Sequence, residues 1–393
     1  MAEWKKTSLI DIVELIGGGT PKTSKSEYWG GNINWLSVKD FNDENRYVYS
    51  TEKSITEEGL NNSSTKLLKK DDIIISARGT VGELAMIPFP MAFNQSCYGI
   101  RAKEDIDSIF LYYLIKNSVR KLKVMTHGSV FDTITKDTFA NIEVDIPDIE
   151  TQHRIAKMLT DIDDKVENNQ RINNNLEQQT QAYFDELFVV NADPNWPECT
   201  LADIGSVVAG GTPSKSKLEY YADQGIAWIT PKDLSGDKSK FISHGENDIS
   251  ELGFSKSSAT KMPAGTILFS SRAPIGYIAI AQNEVTTNQG FKSVIPNKNI
   301  GTAYVYFLLK NLLPTIEGMA SGSTFKEISG AAMKSVPTVM PDADIIQLFS
   351  DFCEPVFKEQ EVLEAENKHL SALRDSLLPK LMSGEIDVSE LDL

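Results

Sequence analysis

Apolar residues along this chain follow two patterns that predict two kinds of element. Short continuous runs bounded by turn residues, Asp72-Ile73-Ile74-Ile75-Ser76 and Thr266-Ile267-Leu268-Phe269-Ser270, predict buried strands. Residues 107–123 and 301–317 predict short helices. Beyond Ile146-Pro147-Asp148, and again beyond Met340-Pro341-Asp342, apolar positions recur at alternate steps of four and three in polar surroundings. The first seam is Ile155, Leu159, Ile162, Val166, Asn169, Asn173, Leu176, Thr180, Tyr183 and Leu187. The second is Phe349, Cys353, Val356, Gln360, Leu363, Asn367, Leu370, Arg374, Leu377 and Leu381. About 35 helical residues at ~1.5 Å each make a rod of roughly 50 Å. So narrow a strip suits a two-helix coiled coil, with Asn173 and Asn367 helping to fix the register. Packing of each helix on its own domain is the alternative. Pro355 predicts that the second helix starts near Glu354 or kinks there.

The pattern occurs twice, about 194 residues apart. Gly18-Gly19-Thr20-Pro21 returns as Gly210-Gly211-Thr212-Pro213, and Trp35…Lys39-Asp40 as Trp228…Lys232-Asp233. Ser76-Ala77-Arg78-Gly79-Thr80-Val81-Gly82 is echoed by Ser270-Ser271-Arg272-Ala273-Pro274-Ile275-Gly276, and Asn94-Gln95 by Asn288-Gln289. Gly128-Ser129-Val130-Phe131-Asp132-Thr133-Ile134 matches Gly322-Ser323-Thr324-Phe325-Lys326-Glu327-Ile328. So long a period excludes a solenoid, whose repeats run from about 20 to 50 residues. It predicts a duplicated α+β domain-plus-helix unit: a domain over 1–148, a helix over 149–190, a second domain over 191–341, and a helix with its tail over 342–393. Two similar units suggest two similar targets.

Net charge changes the picture only once it is located. The total of −16 argues against a nucleic-acid partner. Yet residues 149–190 hold 4 Lys/Arg against 8 Asp/Glu and residues 342–393 hold 4 against 13, which accounts for −13 of it. The domain segments are near neutral, with 18 Lys/Arg against 21 Asp/Glu over 1–148 and 13 against 11 over 201–341. Acidity thus belongs to the helices and tail, leaving the domains able to present basic loops. No apolar run approaches the ~20 residues of a membrane span, and none follows Met1–Lys6, which predicts a cytoplasmic protein.

Catalytic chemistry is not evident. Gly17-Gly18-Gly19-Thr20-Pro21-Lys22-Thr23 lacks the GxxxxGK[ST] spacing of a phosphate loop and carries Pro21 where glycine is required. There is no Asn-Pro-Pro-aromatic element of an amino-methyltransferase and no glycine-rich loop fit for S-adenosylmethionine. Asp163-Asp164-Lys165 has the residue types of a metal-dependent nuclease fragment but falls on the polar face of the heptad helix, where a solvated charge cluster is expected. His127, His153, His244 and His369 are scattered, and Cys97, Cys199 and Cys353 show no CxxC spacing, so neither a metal site nor a disulfide framework is predicted.

The chain therefore resembles a binder, and its loops suggest the ligand. Lys22, Thr23, Ser24 and Lys25 in the first half, and Ser214, Lys215 and Lys217 in the second, offer ammonium and hydroxyl donors suited to phosphate oxygens. Arg78, Arg272, Asn94-Gln95 and Asn288-Gln289 are residue types that make bidentate contacts with guanine and adenine edges. Thr20, Thr212, Lys39, Lys232, Lys136, Lys326 and the turn residues Ser129 and Ser323 complete the candidate DNA-facing set. A second reading of the recurrent residues stays open: Thr20/Thr212, Arg78/Arg272 and Asn94/Asn288 would hold loops together, and specificity would come from residues that differ between the halves.

These motifs, in this order and duplicated, resemble the DNA-specificity subunit of type I restriction-modification systems. The similarity extends to Asn175-Leu176-Glu177-Gln178-Gln179 in the central helix and to the ending Leu373-Arg374-Asp375-Ser376-Leu377-Leu378-Pro379-Lys380-Leu381-Met382-Ser383-Gly384-Glu385-Ile386. The resemblance implies a non-catalytic subunit with two target recognition domains, each taking one half of a split double-stranded DNA sequence. It implies that the helices form an antiparallel spacer and dock methyltransferase subunits, expected to be two, which hold the S-adenosylmethionine. Nuclease/translocase subunits join in systems that carry them. A specificity subunit of a methylation-only system is the alternative, and a stand-alone enzyme or a coiled-coil scaffold would use the same elements differently.

Helix length is then expected to set the gap between half-sites, since faces entering the same side of a duplex lie about 34–36 Å apart. One heptad inserted after Val166 keeps the seam and lengthens the helix by about 10 Å. Because the partner helix can absorb part of this by looping out, the unread spacer should gain one to three base pairs at about 3.4 Å each, with both half-sites kept. Unchanged spacing in a folded, active insertion mutant, measured by methylation-site mapping, would show that the helices are not the ruler.

Overall fold

The computed structural model describes residues 4–41, 45–125, 133–322 and 326–389, with the backbone alone at 121–125. The chain divides into two compact units, Met1–Gln170 with Glu366–Leu393 and Arg171–Ala365. Each unit holds one mixed domain together with a length of each long helix.

In the first unit the apolar run at Ile73–Ser76 is a strand buried on both faces. Ile73 and Ile75 enter a core with Phe110, Leu111, Ile155, Leu159 and Leu381, while Ile74 enters a separate core with Leu36, Leu68 and Phe93. Strand geometry sends successive side chains to opposite faces, so an uninterrupted apolar run is what a strand between two cores requires. Its sheet runs in the order Val13–Gly17, Cys97–Ala102, Ile73–Ser76, Leu84–Met86, all antiparallel. A second sheet has the order Lys53–Ile55, Trp29–Leu36, Met91–Phe93, Leu67–Leu68, in which Trp29–Leu36 and Met91–Phe93 are parallel. Lys5–Ser8 pairs with Glu143–Ile146 to close the domain.

The second unit repeats this plan. Ile267 and Phe269 face one core, with Phe184, Tyr304 and Phe349, and Leu268 faces another, with Ile229 and Phe291. The sheets run Gly205–Ala209, Lys292–Pro296, Ile267–Ser271, Ile275–Ala281, Phe241–Ile242 and Tyr221–Ala222, Asn247–Ile249, Ile226–Ile229, Thr286–Thr287, with Glu198–Thr200 on Pro337–Val339. The predicted helix over 107–123 is Ser108–Met125. Its counterpart over 301–317 is two helices, Thr302–Asn311 and Leu313–Met319. Pro314, with no N–H to continue the first, sits in the first turn of the second.

Long helices follow the Pro boundaries as expected, at Ile149–Asp185, prolonged by a π-turn over Glu186–Val190, and at Ala343–Met382. The expected start near Glu354 is corrected: the helix begins at Ala343 and continues past Pro355. Pro355 and Asp351 are exposed, so water can take the Asp351 carbonyl that lacks its helical donor. Within each unit the helices run antiparallel. Asp163 meets Arg374 and Asn169 meets Asn367 in the first, while Asn173 meets Gln360 and Tyr183 meets Phe349 and Phe352 in the second. Ile155, Leu159, Thr180, Phe349, Cys353, Leu363 and Leu381 of the predicted seams are buried. Both packing alternatives hold at once, because the helices also complete the domain cores.

Asp163 overturns one expectation. It is not part of a solvated cluster: its side chain is 8% exposed, accepts the Tyr113 hydroxyl at 2.6 Å and pairs with Arg374 at 2.7 Å. Asp163 follows the seam residue Ile162 and turns toward the domain's Ser108–Met125 helix, so burial comes from the domain and not from the partner helix alone. Asp164 pairs with Arg46 at 2.7 Å, and the Arg46 side chain is 6% exposed. Arg46 also donates its backbone N–H to Glu167 at 2.7 Å. At the matching place in the second unit, the buried Lys240 donates its N–H to Glu364 at 2.9 Å and its ammonium to Gln360 at 2.6 Å, and pairs with Glu177. Burial works against the Glu177 carboxylate, but Lys240 and Lys310 beside it outweigh that and hold its pKa below the usual value.

Two outcomes follow from these buried pairs. Asp163→Ala strands Arg374 and Tyr113 and should destabilise the first unit by about 3 kcal/mol, with Asp163→Leu/Arg374→Leu recovering part of the loss. Hydrogen exchange should then quicken in 149–170 and 366–389 and not in 200–340; uniform protection would contradict the assignment. For Glu177, a depressed folded pKa means stabilisation that is complete above the unfolded value of about 4.3 and lost as pH falls toward the folded value. The difference in Tm between wild type and Glu177→Gln should narrow below about pH 4.3, and a difference independent of pH would refute the ion pair.

Candidate nucleic-acid interface

The repeated motifs converge in each unit on one set of stitched loops. In the first, the Gly19 N–H donates to Phe93 at 2.9 Å, the Trp35 indole N–H donates to the Gly19 carbonyl at 3.0 Å, and the Thr20 hydroxyl bonds the Gln95 side-chain oxygen. A side chain at Gly18 or Gly19 would collide with the backbone at Asn94 or Thr65, which is why the loop needs glycine there. The second unit repeats each contact: Gly211 N–H to Thr287 at 2.8 Å, Trp228 indole to Gly211 at 2.9 Å, and Thr212 to Gln289. Asn94 Oδ1 accepts from Ser96 N–H at 3.0 Å, and Asn288 Oδ1 from Gly290 N–H at 2.8 Å. Thr20, Thr212, Asn94, Asn288, Gln95 and Gln289 therefore hold loops together, whatever else they touch.

The arginine turns join the same network. Ser76 Oγ accepts from Glu83 N–H at 2.8 Å, and Ser270 Oγ from Tyr277 N–H at 2.7 Å, each closing the turn that carries Arg78 or Arg272. Ala77 N–H reaches Ser96 at 2.7 Å, as Ser271 N–H reaches Gly290 at 2.7 Å. The turn serines Ser129 and Ser323 lie outside the described residues, but the chain after them is anchored to the same turns. Ile134 N–H donates to Ala77 at 3.0 Å and Ile328 N–H to Ser271 at 3.1 Å. Exposed Lys136 and Lys326 sit beside these anchors.

The lysine loops are built alike. Lys22, Thr23, Ser24, Lys25, Ser214, Lys215 and Lys217 are exposed. Lys25 and Lys217 lie over the rings of Tyr28 and Tyr220 at 4.8 and 5.2 Å, which fixes their ammonium groups at the loop ends. The hydrogen bond of Lys25 to Tyr28, reinforced by Glu27, raises its pKa and keeps it cationic. Lys39 and Lys232 are exposed next to Asp40 and Asp233, which cap their own turns, and Lys232 pairs with Glu246 at 2.6 Å.

Two residues that sequence reasoning passed over stand among these loops. Arg272 Nη1 lies 3.4 Å from Glu327, and Lys292, only 8% exposed, lies 3.5 Å from the same carboxylate and 3.4 Å from Ser271. The matching positions of the first unit are Tyr98 and Thr133, and Arg78 is exposed. The available signal was this divergence inside otherwise matching motifs. No group of side chains among the described residues could hold a metal ion, and no described helix is long and apolar enough to cross a membrane.

Comparison with known proteins finds one family twice along the chain. The family described as type I restriction modification DNA specificity domain matches twice, over residues 1–178 and 194–371. The type I restriction enzyme MjaIX specificity subunit of Methanocaldococcus jannaschii is 28% identical over 417 residues, covering 99% of this chain and 95% of that one. The HindI specificity subunit of Haemophilus influenzae is 24% identical, covering 98% and 100%. The crystal structure of the type I restriction-modification S subunit from M. genitalium has the same fold, with a TM-score of 0.57 at 18% identity over 99% of this chain and 97% of that one. With one match on each repeat, and the same loop network built in both, this chain belongs to the type I restriction modification DNA specificity family.

Proposed function

We propose that this chain is the non-catalytic specificity subunit of a cytoplasmic type I restriction-modification complex, in which each domain binds one half of a bipartite double-stranded DNA target. The observation that carries the proposal is that one set of stitches holds different exposed side chains in the two units. Such an arrangement keeps the DNA-facing geometry while allowing two half-sites. Candidate contacts are the exposed lysines and hydroxyls of residues 22–25 and 214–217 on phosphates, with Arg78 and Arg272 on base edges. Lys39, Lys136, Lys232 and Lys326 are proposed at the margins of the same face, and Ser129 and Ser323, outside the described residues, are kept as candidate contacts from the sequence alone.

The long helices and the tail carry −13 of the net charge, so they repel phosphate and suit a protein partner better than DNA. We assign them to methyltransferase subunits, expected to be two, which bring the S-adenosylmethionine; nuclease/translocase subunits would join the same assembly.

Incubation of DNA with labelled S-adenosylmethionine should give no methyl transfer by the chain alone and sequence-selective transfer once the methyltransferase subunit is added. Exchange of residues 1–148 for another specificity subunit's first domain should then replace one half-site and keep the other. Transfer by the chain alone, or loss of both half-sites on exchange, would overturn the proposal.

A further inference from the structure

We infer that Glu327 and Arg272 together specify a C·G base pair in the half-site bound by the second domain, with Lys292 positioning the carboxylate. The inference rests on the specificity-subunit reading above and adds a residue pair and a base pair to it.

The second unit holds Glu327 between two cations at 3.4 and 3.5 Å, both longer than the about 2.7–2.9 Å of a tight charge-assisted hydrogen bond. The carboxylate is half-exposed, with 36% of its side chain open, and an ionised carboxylate accepts at about four lone-pair sites. It is thus held in place without being saturated. Lys292 is the anchor beneath it: nine-tenths buried, it also reaches Ser271 Oγ at 3.4 Å and the Gln289 carbonyl at 3.5 Å. Backbone pairing of Glu327 with Ser321, at 2.9 and 3.1 Å, fixes the chain on the other side.

An acceptor and a multiple donor side by side match one base-pair edge. In the major groove, C·G offers the cytosine N4 amino group as donor next to guanine O6 and N7 as acceptors, which suit Glu and Arg respectively. The three residues keep one net positive charge, so the site remains compatible with phosphate nearby. The first unit has the same stitches and the same arginine, but Tyr98 and Thr133 replace the lysine and the glutamate. Loop support does not require the acid, because Ile134 and Ile328 make equivalent backbone anchors with either residue before them.

Methylation sites made by the assembled complex, mapped by sequencing, test this. The half-site retained when residues 1–148 are exchanged is the second domain's, and it should contain a C·G pair. Glu327→Ala and the near-isosteric Glu327→Gln should each lower discrimination for that pair about tenfold or more, while the first half-site stays intact and reports that the complex has assembled. A second half-site without a C·G pair, both half-sites unaltered in the variants, relaxation confined to A·T pairs, or a general fall in methylation in both variants would each overturn the inference. Absence of bipartite methylation by the wild-type complex would instead sink the specificity-subunit reading.

Discussion

Everything the loops can do depends on a buried cation that ties each domain to its helices. Arg46 in the first unit and Lys240 in the second occupy matching places, and both side chains are 6% exposed. A buried cation without a partner would cost several kcal/mol, so each is tolerable only where a helix carboxylate meets it, Asp164 for Arg46 and Glu177 for Lys240, while Glu167 and Glu364 take the backbone N–H of the same two residues. Lys240 also lies 4.2 Å from the Phe357 ring, so a charge pair and an aromatic face constrain one group. Such a contact holds in only one register of domain on helix. The sheet orientation, and with it the loop network at the sheet's end, inherits that register.

Much of this was legible in the sequence, because it follows from periodicity and duplication. The 4-3 seam located both long helices, and apolar runs such as Ile73-Ile74-Ile75 located strands between two cores. What escaped was any feature decided by a second element. Asp163 follows the seam and so looked solvated, yet the Ser108–Met125 helix covers it through Tyr113. Pro355 looked like a boundary, but a helix tolerates it where the unsatisfied carbonyl faces water. Arg46 and Lys240 carry no local mark at all, since their significance lies in carboxylates 118 residues away for Arg46 and 63 residues away for Lys240.

The candidate site shows why recurrence alone is an ambiguous guide. A residue present in both copies satisfies a requirement common to both, and the structure identifies many such requirements as mechanical. Thr20 and Thr212 bond Gln95 and Gln289, Trp35 and Trp228 bond the glycine loop, and Ser76 and Ser270 close the arginine turn. Arg78 and Arg272 recur in sequence but not in circumstance, one exposed and the other held beside Glu327. Divergence at fixed geometry separates the two roles more sharply than either copy could by itself.

Charge is divided along the same line. With −13 of the −16 on the long helices and tail, phosphate is disfavoured there relative to the near-neutral domain segments. The proposed DNA-facing loops carry lysines held against tyrosine rings, Lys25 on Tyr28 and Lys217 on Tyr220. Fixing a long side chain before binding removes part of the ordering cost that a free lysine would meet on the phosphate backbone. In the proposed DNA complex the acidic helices would limit where nucleic acid can lie, and the ring-held lysines would lower the ordering cost of phosphate contact at the loops that carry them.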